Sequence, residues 1–328
     1  MLIKPLKKLK FCYAKEIILL IGLLFIAVIF ALNRKYLSSA LLGIKLWSVA
    51  VLPALFPYFF ITALISKLKI TSSFAKVVSP FSYKTLNISG TTFVCLILSL
   101  LAGYPTGAKL VADFYEQGHI QKSESVRASI LCSTSSPMFL IGSVGGIMFN
   151  SVKFGVALFL THFIANICLT ILFCLTKKSP VIIAPTQNPK NTDCLFYESV
   201  YSAVISVLMV GGIITLFSVL SAILLDYNIL TPLIKAFTFI FGGEVQGEGV
   251  CLGFLELTSG IKSLCSLSFS KALPLCAVLS GFGGFSIIMQ SVAYLKKAKI
   301  KTTPFLFSKV LSAVFNYFIG LIVSILFF

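Results

Sequence analysis

Glu256 is the acid best placed to do chemistry in an apolar setting. It sits between Leu255 and Leu257, and Thr258, Ser259 and the helix-breaking Gly260 follow at once. A carboxylate at membrane depth is costly and marks an ion, proton or substrate site by default. The first half carries a related signature, with Gly103-Tyr104-Pro105-Thr106-Gly107-Ala108-Lys109 against Glu256–Lys262. Ser133, Thr134, Ser135 and Ser136 run into Pro137, and Gly281-Phe282-Gly283-Gly284 leads to Ser286 and Gln290. Small residues let helices approach closely, but runs of Gly, Pro and hydroxyl residues exceed that need. They unwind a turn and free amides and carbonyls for a ligand. The candidate substrate-binding set is Tyr104, Pro105, Thr106, Gly107, Ser133, Thr134, Ser135, Ser136, Glu256, Thr258, Ser259, Gly283, Gly284, Ser286 and Gln290.

Other chemistries lack the residues they need. His119 lies in a polar connector and His162 in an apolar block, so no serine has a His/Asp relay in prospect. The nine cysteines form no Cys-x-x-Cys and read as small apolar packing residues. No catalytic residue, cofactor or metal is expected, and the protein is not expected to be an enzyme.

The elements that must position these residues belong in lipid. The chain is 58% hydrophobic and 11% charged, against roughly 45–50% and 25% in a soluble domain. Uncharged stretches such as Tyr201–Leu225 and Ala272–Leu295 approach or exceed the roughly 20 residues that cross a bilayer as a helix. Several other blocks are too short or too broken to cross unaided. Residues 88–102 run into the first signature, Pro53 and Pro57 interrupt 41–65, and a glycine-rich stretch divides 229–257. The expected fold is all-α and polytopic, with about eight to ten membrane segments in two related halves that contain re-entrant or broken helices.

The net charge of +17 comes from lysines clustered between apolar blocks, as in cytoplasmic loops. A nucleic-acid partner is not expected; the bilayer is the partner, with a small molecule or ion as substrate and a homo-oligomer as an open option. Lysine-rich, acid-free segments 66–87 and 296–301 are expected in the cytoplasm, with a cytoplasmic N-terminus ahead of a retained first helix at 17–32. Residues 113–127 read as a polar connector.

Trp47 and Pro57 align with Tyr201 and Gly211 at an offset of 154 residues, and Thr106–Lys109 with Ser259–Lys262 at 153. Leu131-Cys132 matches Leu275-Cys276 at 144. Three ordered matches point to a duplicated unit. The expected organisation is an anchor helix over 1–36, a first repeat over 37–180, a connecting loop over 181–198 and a second repeat over 199–328.

Gly103–Lys109, Glu124 to Arg127, Ser133–Pro137 with Phe139, and Leu46-Trp47 with Leu52–Phe59 resemble the YlbJ-type sporulation integral membrane proteins of endospore-forming bacteria. The resemblance covers most of the chain and implies a multi-pass protein of the bacterial inner membrane required for spore formation. It also implies the nucleoside-recognition (gate) domain shared with concentrative nucleoside transporters, whose Leu-Cys-Gly-Phe-Ala-Asn-Phe-Ser-Ser stretch is similar to Leu275–Ile287. Glu256 falls on their Asn-Glu-Phe glutamate. Gly284 stands where that family has an asparagine, Ile287 where it has a second serine, and Leu255 where asparagine precedes the glutamate. Gly103-Tyr104-Pro105-Thr106 stands in place of Gly-Gln-Thr-Glu. The resemblance therefore implies a transporter scaffold lacking most nucleoside-binding groups. Movement of a small solute or ion is the expected activity, and a structural or assembly role in spore membranes is the alternative.

Impermeant thiol labelling of single cysteines in a cysteine-depleted chain tests the orientation. Positions in 66–87 and 296–301 should be shielded in intact cells and react only after permeabilisation; labelling from outside would reverse the topology.

Overall fold

The computed structural model describes residues 33–174 and 194–328, with residues 17, 20–22 and 24. Among them every regular element is helical. The anchor helix expected at 17–32 and most of the loop at 181–198 lie outside the described residues.

The first half opens with α1 (Arg34–Leu46), whose amide at Lys35 is capped by Asn33 Oδ1 at 2.9 Å. A π turn at Trp47–Val51 leads into α2 (Leu52–Lys67), and Arg34–Lys67 is long and apolar enough to cross a bilayer. The Leu52 amide reaches back five residues to the Trp47 carbonyl. That extra residue is how the helix continues into Pro53, which has no amide to offer. Next come α3 (Lys69–Leu86) and α4 (Gly90–Ala102), bent by 89° at the turn between them. Segment 66–87 is thus mostly helix and not the loop expected. Ile70, Phe74, Val77 and Phe81 lie exposed at helical spacing; the lysines between them broke the apolar block without breaking its 3.6-residue period.

After a break at Gly103–Pro105, α5 (Thr106–Glu116) and α6 (Lys122–Leu131) form a tight hairpin. The polar connector expected over 113–127 is therefore largely packed helix. Glu124 accepts from the Ser89 amide at 2.7 Å and Arg127 donates to the Asn87 carbonyl at 2.7 Å, so both charges fasten the α3–α4 corner. Cys132–Ser136 is non-helical, a π-helical segment covers Met138–Met148, and α7 (Val152–Cys174) completes the half.

The second half follows the same succession. A long helix, α8 (Leu195–Asp226), starts four residues before the repeat boundary expected at 199. Then come a hairpin of α9 (Thr231–Phe241) and α10 (Glu244–Leu255), a break at Glu256, and short α11 (Leu257–Ser263). A helix broken at Gly283, α12 (Phe269–Phe282) and α13 (Gly284–Lys297), precedes α14 (Thr303–Phe327). Glu244 and Glu248 fall inside α10 rather than in a glycine loop.

Among the described residues five helices, or six counting the bent pair, are long and apolar enough to cross a membrane. The eight to ten segments expected are a broader count, which takes in the block at 17–32, outside the described residues, and shorter apolar helices such as α9 and the π-helical segment. Phe269–Lys297 is central: 83% of its most apolar window is buried, against 33% in each of the other four. It packs chiefly against α14 through small residues, as helices in lipid do. Gly281 lies against Asn316 and the Ser312 carbonyl, and Gly320 against Pro274. In the same way Gly211 of α8 receives the Trp47 indole, whose Nε1 donates to the Val207 carbonyl at 3.2 Å.

Charges mark two faces of the bundle. Lys67 pairs with Glu198 at 2.9 Å at one end of α2 and α8, and Lys35 pairs with Asp226 at the other end of α1 and α8. Beyond the spans, burial raises the Asp113 carboxyl, and Lys109, Lys297 and Lys67 draw it back down. Lys67, Lys109 and Lys297 therefore gather at the same end of the bundle as Asp113.

A Cβ at Gly281 would stand 2.6 Å from Asn316 Nδ2. Gly281→Leu should destabilise the purified protein by about 1–3 kcal/mol through overpacking, read as a lower thermal midpoint. An unchanged midpoint would rule out this contact.

Candidate functional site

Four helix breaks converge on one cavity of about 40 Å³. Gly103, Tyr104 and Pro105 come from the first break, Ser135 and Ser136 from the second, Glu256, Leu257 and Thr258 from the third, and Ser286 and Gln290 from the helix after the fourth. Val51, Leu55, Phe139 and Ile214 supply apolar wall. Residues of the two signatures thus line one space.

Backbone geometry explains why these residues stand there. Gly103 at φ 75° and Gly283 at φ 87° hold the left-handed side of conformational space, open to glycine without strain. Glu256 is extended and caps α11: Oε1 accepts from the Thr258 amide and hydroxyl, both at 2.9 Å, and Oε2 from the Ser259 amide at 2.6 Å. The side chain is 2% exposed, and no basic group among the described residues lies within ion-pair distance. Lys262, the basic residue next after it in the chain, sits in the last turn of α11 and is exposed. Three hydrogen bonds stabilise the carboxylate in place of a counter-charge, and about one of its four acceptor positions stays open towards the cavity.

Tyr104 joins the halves. Its ring lines the cavity and its hydroxyl donates to the Ser280 carbonyl, in the last turn of α12. Behind the second break His162 of α7 accepts from the Ser135 amide at 3.0 Å through Nε2, contacts Thr134 Oγ1 at 3.2 Å, and meets Asn316 Oδ1 at 3.1 Å through Nδ1.

Eight of the sequence-predicted residues line the cavity: Tyr104, Pro105, Ser135, Ser136, Glu256, Thr258, Ser286 and Gln290. The others stand behind it. Gly107 backs onto the Cys132 carbonyl, Thr106 opens α5, and Ser259 donates its amide to Glu256. Thr134 turns to His162, Ser133 lines a separate small pocket, and Gly284 sits over Gly253 and Leu257. Gly283 forms the bend beside the Tyr104 ring. Sequence reasoning missed Asn316 and Lys309, both buried on α14. The lone lysine in an apolar run was the signal that could have found the latter.

The chain is similar to the sporulation integral membrane protein YlbJ of Bacillus subtilis (strain 168). The two are 27% identical over 83% of this chain and 74% of the relative. Among solved structures, an asparagine-to-leucine variant of CNTnw, a concentrative nucleoside transporter caught in an intermediate state, superposes with a TM-score of 0.51 over 92% of this chain and 85% of its own. At 13% identity that likeness shows the fold alone. No family model matches the chain. The protein is a multi-pass integral membrane protein, similar to a sporulation protein and folded like a transporter.

Tyr104→Phe removes the bridge to Ser280 and leaves a buried carbonyl unpaired, a loss of about 1–3 kcal/mol. The thermal midpoint should fall while Ser280→Ala, which keeps that carbonyl, leaves it nearly unchanged. Equal effects would break the assignment.

Proposed function

We propose that this protein serves spore formation by moving a small solute or ion across the bacterial inner membrane through the cavity between its helix breaks. The observation that carries this reading is Glu256, a buried carboxylate with no cationic partner, facing a cavity built from both halves. The polar lining is hydroxyl, amide and carboxylate, without a basic side chain, which suits a cation or a neutral hydrogen-bonding solute. The like succession of elements in 37–180 and 199–328 supports a duplicated transporter unit, with binding where the repeats meet. On this reading the N-terminus belongs in the cytoplasm, in keeping with its lysines at 4, 7, 8 and 10. No enzyme activity is part of this reading.

One observation favours the non-transporting alternative. Glu256 already completes the N-terminus of α11, so its conservative replacement must separate capping from chemistry. Glu256→Gln keeps one acceptor oxygen and should cost at most the ~0.5–2 kcal/mol of a lost cap. We expect that variant to accumulate in the membrane of the spore-forming host and to lower spore yield at least tenfold. In proteoliposomes it should abolish saturable uptake in a panel of protons, alkali cations and nucleosides, one of which the unaltered protein carries. Full spore yield from Glu256→Gln would overturn the proposal.

A further inference from the structure

We propose that Lys309 holds a monatomic anion of halide size in a second, membrane-embedded pocket behind the first half's polar break. This site is independent of the reading given to Glu256. Lys309 lies in α14, is 2% exposed, and has no carboxylate among the described residues within ion-pair distance. Its Nζ donates to the Ser133 carbonyl at 3.2 Å and stands 4.5 Å from the centre of the Tyr104 ring. A carbonyl and a ring face orient an ammonium and attract it, but neither carries a full negative charge. An isolated buried cation is strongly disfavoured.

The space beside it fits the missing charge. Ser133, Asn166, Thr170, Ser308, Ser312 and Lys309 line a cavity of about 10 Å³, with leucine and isoleucine closing the rest. The lining is rich in donors and contains no acid. The Ser133 hydroxyl is buried and has no hydrogen-bond partner, and an unmade bond of that kind calls for an occupant. Asn166 spends one amide proton on Thr134 Oγ1 at 2.8 Å and keeps a second. A volume near one water sphere is too small for phosphate, sulfate or a carboxylic acid, and a single halide, somewhat larger than a water, fits once the rotatable Ser133 and Asn166 side chains turn their donors onto it. The neighbouring helices bring no competing anion: α7 contributes His162, held by Asn316 and Ser135, α12 contributes the buried thiol Cys276, and Glu124 of α6 is engaged with Ser89.

The test uses the full chain in nanodiscs. Thermal midpoints are followed as sodium bromide or chloride replaces sodium gluconate at fixed ionic strength, with choline bromide as the cation control. A ligand that binds the native state raises the midpoint by mass action. Bromide and chloride should give a saturable rise of a few degrees with either cation. Lys309→Met should abolish it, and Ser133→Ala should weaken half-saturation several-fold. A bromide anomalous signal beside Nζ would place the ion directly. A midpoint that does not distinguish bromide from gluconate, or that follows sodium instead, overturns the proposal. So does a halide response surviving in Lys309→Met. If that variant does not accumulate, unchanged half-saturation in Ser133→Ala decides against the site.

Discussion

A helix that stops inside a bilayer leaves amides and carbonyls that lipid cannot satisfy, at several kcal/mol each. This chain stops its helices four times near one cavity, so the repair of those ends organises the structure around them. Glu256 takes two amides of α11, Ser136 Oγ takes the Phe139 amide at 3.2 Å, and His162 takes the Ser135 amide. Ser143, in the π-helical segment, donates to the Ala50 carbonyl in the π turn of the first span at 2.5 Å. Polar residues in the membrane thus answer to the backbone first. Whatever binding they perform is added to that duty.

The origin of each repair sets what can move. Glu256 caps its own next helix, so the third break can shift as one body. Tyr104 instead reaches from the first break to the end of α12, and His162 and Asn316 connect α7 and α14 to the second. Displacing one half against the other would strip the Ser280 carbonyl of its partner. Any alternating opening must exchange that bond for another, water being the available acceptor's partner once the cavity is wet.

The sequence made the breaks legible because Gly, Pro and hydroxyl runs have no use on a lipid-facing helix. Tyr104, Ser135, Glu256 and Gln290 were found that way, and all line the cavity. Residues 66–87 and 113–127 were misread for one reason: isolated charges divide an apolar block but not a helical period. Lys76 and Lys84 interrupt α3 without unwinding it, and Glu124 and Arg127 turn inward to an exposed-looking corner. Block length alone does not tell a crossing from a hairpin arm, so a count of eight to ten segments read from the blocks mixes the two. Asn316 carries no mark in sequence; its importance comes from standing opposite His162 and Gly281, contacts made only by folding.

Size then decides what the cavity can hold in this conformation. Pockets for organic ligands of nucleoside size run to about 300–1,000 Å³, whereas 40 Å³ has room for about three waters. The Tyr104 ring takes up part of that space, lining the cavity from the first break. On the transport reading proposed above, a carboxylate, five hydroxyl-bearing side chains and a glutamine around so small a space suit a dehydrated cation better than a sugar and base. A larger solute would require the Tyr104 ring to leave, and that ring is held on one edge by Ser280 and capped on its face by Lys309. The same tyrosine therefore limits the cavity's volume, bridges the halves and covers the buried lysine. Removing its hydroxyl loosens the bridge, while removing the ring would open the cavity and uncover the cation together.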